Sequence, residues 1–167
     1  MNVGVLSVVL VFFPMAGALL SYLIGLKNKK ARDICANAVT ISEFLLMLFA
    51  VSNAVLVISN MAAESGYTEK ITCADLGAVM EYGYRIAGFC GLGISFRLDG
   101  FRMIYGLVTS FMWMMVSLLS PRYFETYRNR NRFYTFLLVT LGATMGVFLS
   151  ADFYTTFIFF EIMSLTS

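Results

Sequence analysis

Residues 152–167 read DFYTTFIFFEIMSLTS, and the interpretation of the whole chain turns on them. Glu161 stands deep in an aromatic and aliphatic run with no basic residue after it. At a helix centre in a bilayer an ionisable side chain costs on the order of 2.5 kcal/mol or more, so a carboxyl at that depth faces protein or water and marks a functional site. The bland alternative is a neutral glutamic acid hydrogen-bonded to a neighbouring helix. The functional reading makes Glu161 the main candidate for carrying a proton.

The composition sets the class. Of the 167 residues, 59% are hydrophobic and only 13% charged, with a mean hydropathy of +0.79. Soluble domains carry about a quarter of their residues as charges. The apolar runs are continuous rather than alternating, which excludes barrel strands and predicts an all-α membrane protein, a bundle of about five transmembrane helices with the last one incomplete. A net charge of +2, dispersed over short loops, argues against a nucleic-acid partner. With no histidine, and with Cys35, Cys73 and Cys90 at no metal-ligand spacing, haem, zinc and iron–sulfur chemistry are not expected here, and neither a cofactor nor a catalytic residue is assigned. Cys73 and Cys90 share one connection and can pair only if that side is oxidising; two isolated thiols are the alternative.

In chain order the expected spans are residues 3–26, 34–59, 101–120, 133–151 and 153–167, forming one transmembrane domain with an external loop at 60–99. Pro14 should kink the first span by freeing the Leu10 carbonyl. No cation precedes that span, whereas Lys27, Lys29, Lys30 and Arg32 follow it, so it reads as a retained helix rather than a signal peptide. A second basic cluster, Arg122, Arg128, Arg130 and Arg132, follows the third span, while the 60–99 connection is net acidic. By the positive-inside rule the basic loops are cytoplasmic and the amino terminus is external, in a multi-pass protein of the cell membrane. Alternation and glycines across residues 84–96 suggest a short hairpin capping the bundle.

Pro121 reads as the stop of the third helix and Asp152 as the cap of the fifth. Gly142 and Gly146, with Ala143, form a small-residue face for close helix packing. Glu43, about ten residues into the second span, is a second candidate carboxyl: it lies on a proton path, or it is protonated and bonded to a partner helix. The fifth span covers about 15 residues, roughly 22 Å, short of a full crossing. That shortness raises the expectation of a longer or split polypeptide, with another membrane subunit completing the helix.

GISFRLDGF at residues 93–101, RFYTF at 132–136 and above all GVFLSADFYTTFIFFEIMSLTS at 146–167 carry a resemblance. From Gly91 onward the chain resembles the N-terminal portion of the antiporter-like subunits shared by respiratory complex I, membrane-bound hydrogenases of the formate hydrogenlyase type and Mrp multi-subunit cation/proton antiporters. The first two spans match only by hydropathy and position. The resemblance implies a proton-translocating subunit, without catalysis of its own, in which Glu161 is paired with a lysine on a later discontinuous helix. That lysine has no counterpart in this sequence, so a partner subunit would supply it.

Two readings of different class follow. In one, the chain contributes to proton or Na+ translocation in a redox-driven pump or cation/proton antiporter. Burial disfavours a charged carboxyl and a nearby cation restores it, so a moving lysine switches Glu161; Ser164, one turn on, supports the carboxyl or a water. In the other, the chain is a structural scaffold without its own ion path. A sodium site would need several oxygen ligands converging on Glu161.

Overall fold

Lipid offers the backbone no hydrogen bonds, so each apolar run must satisfy its own amides as a helix. The computed structural model describes residues 3–65, 82–86, 93–124 and 130–167. Among these residues are five helices, α1 (Val3–Lys27), α2 (Lys29–Ser65), α3 (Gly100–Tyr123), α4 (Arg130–Leu149) and α5 (Phe153–Thr166), with strands β1 (Tyr82–Ile86) and β2 (Ile94–Leu98) between α2 and α3. The first four helices are long and apolar enough to cross a membrane, and α5 is a shorter apolar helix. The chain is an all-α, multi-pass membrane bundle. Cys73, Cys90, most of the 60–99 connection and residues 125–129 of the second basic loop lie outside the described residues.

Three helix boundaries differ from the sequence expectation, each for a local reason. Only Asn28 separates α1 from α2, so Lys29, Lys30 and Arg32 belong to the first turns of α2 rather than to a loop. The Asn28 side-chain oxygen accepts from the Lys30 amide at 3.3 Å, the geometry of a helix N-cap, which lets the new helix start at once. Pro121 does not stop α3: it sits inside the last turn, and the Phe124 amide still reaches the Ser120 carbonyl at 3.0 Å. There the ring removes only the bond to the Ser117 carbonyl, and the helix ends within a turn. At 37 residues α2 is about 55 Å long against a hydrocarbon core of about 30 Å, so it extends well past the membrane core.

Helices α1 to α4 form a closed ring in chain order, with α1 packed most extensively on α4, and α5 lies against the outer side of α4. Gly142 and Gly146 both sit at close helix contacts, but against two different helices rather than on one shared face. A Cβ at Gly142 would fall 2.8 Å from the Val11 carbonyl oxygen of α1, and one at Gly146 would fall 2.4 Å from the Phe159 ring of α5. Successive i, i+4 positions rotate by about 40°, enough to present two glycines to two flanking helices.

The hairpin closes one end of the ring. Strands β1 and β2 pair antiparallel with Tyr84 opposite Phe96. From β2, Ile94, Phe96 and Leu98 are buried, and the Phe96 ring meets Phe159 at 5.8 Å and Phe12 at 6.4 Å. The far edge of β2 is fastened to the α4–α5 turn: the Ala151 amide donates to the Ser95 carbonyl at 2.9 Å, and the Ser95 amide donates to Thr155 Oγ1 at 3.1 Å. Arg102 donates to the Ser150 carbonyl and pairs with Asp99 at 3.1 Å.

Asp152 occupies the N-cap position of α5, but its side chain makes no capping bond, because the carboxylate accepts from the Ser95 hydroxyl instead. Removing it should therefore loosen the hairpin more than the helix. We expect Asp152→Ala to cost about 1–2 kcal/mol and to raise deuterium uptake across Ile94–Leu98. Uptake confined to α5 would contradict this assignment.

Candidate ion-translocation site

Helix α5 is apolar nearly all round, so its sequence does not say which side faces the bundle. The structure buries Thr155 and Phe159 against α4, α1 and the hairpin, and Thr166 Oγ1 meets Thr140 Oγ1 of α4 at 3.1 Å. This turns Glu161 outward. With Phe157, Phe160 and Ser164 it forms an exposed stripe at helical spacing, away from the ring. Glu161 and Ser164 thus share one face, one turn apart. Beside the far end of α5, an open groove of about 350 Å³ is lined by Trp113, Phe136, Leu137, Thr140 and Thr166.

Glu43 has the opposite setting. It is fully buried inside the ring, and neither carboxyl oxygen has a hydrogen-bond partner among the described residues. Its depth is fixed by its neighbours: Phe44 meets the Phe111 ring at 5.8 Å, and Met47 lies where a Cβ on Gly106 would touch it. That level corresponds to Ser110 on α3. Glu43 on α2 and Glu161 on α5 are not brought together, since α5 packs on α4 and the hairpin while α2 packs on α1 and α3.

A charged cluster at the Asn28 end joins Arg32 and Arg130, read from the sequence only as orienting charges, to Asp33 and Tyr134, to which the sequence assigns no role. Arg32 is buried, with Nε and Nη2 donating to Asp33 at 2.9 and 2.6 Å and its guanidinium 5.1 Å from the centre of the Tyr134 ring. Arg130 approaches the same carboxylate at 3.9 Å. The stacked and forked contacts suit arginine, which tolerates burial beside an aromatic face. The signal for this cluster was the position of Arg32 on the apolar side of its helix rather than in a loop.

No protein-family model matches the chain. Over 102 residues, 60% of this chain and 13% of the relative's length, the sequence is 26% identical to the A subunit of a Na(+)/H(+) antiporter from Alkalihalophilus pseudofirmus. Over 77 residues, 46% of this chain and 10% of the relative, it is 31% identical to the A1 subunit of a Na(+)/H(+) antiporter from Staphylococcus aureus. The chain thus spans only a small part of the curated relatives it matches. Its fold superimposes on a chain of the membrane-bound sulfane sulfur reductase, an archaeal respiratory membrane complex, with a TM-score of 0.71 and 16% identity, over 96% of this chain and 28% of that one. The fold likeness extends through α1 and α2, where the sequence matched only by hydropathy. The chain is therefore similar in sequence to part of the large A-type subunits of Na+/H+ antiporters, and in fold to part of a chain from a respiratory membrane complex.

Proposed function

We propose that this chain is a membrane subunit that contributes to proton or Na+ translocation in a cation/proton antiporter or a redox-driven pump, with Glu161 as its intramembrane proton carrier. The observation that carries the reading is the outward stripe of α5, where a carboxyl and the Ser164 hydroxyl stand among exposed phenylalanines. In lipid such a stripe is costly, so protein or a water-lined path must cover it. The matched antiporter subunits are far longer than this chain, and further helices of that kind are the cover we assign, including one that brings a lysine to Glu161 and one that continues α5. The 350 Å³ groove beside Thr140 and Thr166 suits the continuing helix. Vesicles containing the parent complex should lose ion flux when this chain is removed and regain it when it is restored. Unchanged flux without the chain would defeat the proposal.

The orientation we infer with it has the Lys27–Arg130 end cytoplasmic and the hairpin external, because Lys27, Lys29, Lys30, Arg32, Arg122, Arg130 and Arg132 crowd the first end, whereas Arg97 and Arg102 at the hairpin end are both paired with Asp99. Phe153 and Tyr123 are 87% and 82% exposed at opposite ends of the bundle. A cysteine at position 153 should react with an impermeant maleimide on intact cells, and one at 123 only after permeabilisation. The reverse pattern would invert the topology.

A further inference from the structure

Asp33, Asn37, Thr40 and Glu43 follow one another along α2 at intervals of four, three and three residues, so each is one helical turn from the next. Helix α3 packs along α2 and buries Ser110, Ser117 and Ser120 on its inner side. The two rows meet where Ser117 Oγ donates to Asn37 Oδ1 at 2.6 Å and Thr40 Oγ1 donates to the Asn37 carbonyl at 3.0 Å. The result is a polar seam between two membrane helices. It begins at Asp33, still partly exposed, and ends at Glu43, fully buried with both oxygens unpartnered among the described residues.

A polar seam that stops at a bare carboxyl is more than packing. Transmembrane helices associate well through small residues alone, and a buried carboxyl without a hydrogen bond opposes folding. The charged and titratable groups turned toward the seam are Arg32 and Asp33 from α2 and Arg130 and Tyr134 from α4, all near its open end; α1 and α3 carry no charged residue at the depth of Glu43. An ionised Glu43 would have no cation beside it, whereas the neutral acid is far less costly there.

We propose that Glu43 is a second proton-binding site, loaded from the Asp33–Arg130 end through the α2–α3 seam and separate from Glu161. A proton from water at that end joins the Glu43 carboxylate to give the neutral acid, and unloading returns it to water. No other bond forms or breaks. Asn37, Thr40 and Ser117 are positioning groups that hold water along the way. The inference does not rest on the role given to Glu161.

Infrared spectroscopy of the membrane-reconstituted complex tests it directly. Near neutral pH the wild type should give the carbonyl stretch of a protonated carboxyl that Glu43→Gln removes, Glu43→Asp shifts and Glu161→Gln leaves in place. In heavy water the band should exchange promptly. Asn37→Leu should slow that exchange by about tenfold, the kinetic equivalent of losing one hydrogen-bonded step. If Glu43→Gln fails to assemble, the shift with Glu43→Asp still identifies the band. Absence of a Glu43-dependent band, whether the carboxyl is ionised or holds a metal cation, would overturn the proposal. So would exchange unaffected by Asn37→Leu.

Discussion

Glu161→Gln should leave the complex assembled and bring ion translocation in sealed vesicles down to the leak of empty ones, a fall of about a hundredfold or more. Glutamine keeps the volume and most of the hydrogen bonding of glutamic acid but cannot titrate. The structure sharpens this expectation, because Glu161 is exposed on α5, whereas Phe159, Thr155 and Thr166 hold that helix on its other side. The fold of this chain should therefore be indifferent to the change. Glu161→Leu should differ by also weakening assembly, since a polar group brought against the stripe is left unpaired at about 1–3 kcal/mol. Wild-type flux in the glutamine variant would remove Glu161 from the path and favour a scaffold role.

The second large effect is expected at Gly142, where the backbones of α1 and α4 come into close approach. An added methyl would fall 2.8 Å from the Val11 carbonyl oxygen and 2.5 Å from Met15 Cγ, and the carbonyl belongs to a helix that cannot yield locally. Gly142→Ala should lower stability by about 1–3 kcal/mol, and Gly142→Leu should prevent the ring from closing. Gly106 is the internal control: a methyl there would meet Met47 Cε at 2.6 Å, the end of a flexible side chain that can swing aside. Thermal unfolding in detergent should rank Gly142→Ala well below Gly106→Ala. An inverted order would mean that α1 and α4 are not held at that distance by the glycine.

Much of the fold was readable because hydropathy alone locates membrane helices, and the likeness around residues 146–167 pointed to the antiporter-like subunits. Boundaries were less legible. Asn28 as a one-residue cap and Pro121 inside a final turn are decided by single hydrogen bonds that no composition window resolves. Glycines 142 and 146 looked like one face because the spacing is that of a shared stripe, and only the placement of α1 and α5 on either side of α4 separates them. The depth of both carboxyls was visible in the sequence, but their orientations were not. Helix α5 is apolar all round, so no polar side marks which way Glu161 turns, and the inward direction of Glu43 depends on α3 and α1 packing against its neighbours Met47 and Val39. The 4-3-3 spacing of Asp33, Asn37, Thr40 and Glu43 was present in the sequence; what gives it meaning is the row of serines supplied by a helix more than sixty residues away.

The fastening of β2 to the α4–α5 turn bears on how a carrier on α5 could work. At one end the Ser95 amide, carbonyl and hydroxyl are all taken up by Thr155, Ala151 and Asp152. At the other, Thr166 holds to Thr140. Between these two points α5 is held like a beam on two supports, and sliding or tilting that stretch would break one of the anchors. On the proposed role of Glu161, movement of a proton there would then fall to the side chain itself, whose rotatable bonds can carry the carboxyl through an arc without displacing the backbone beneath it.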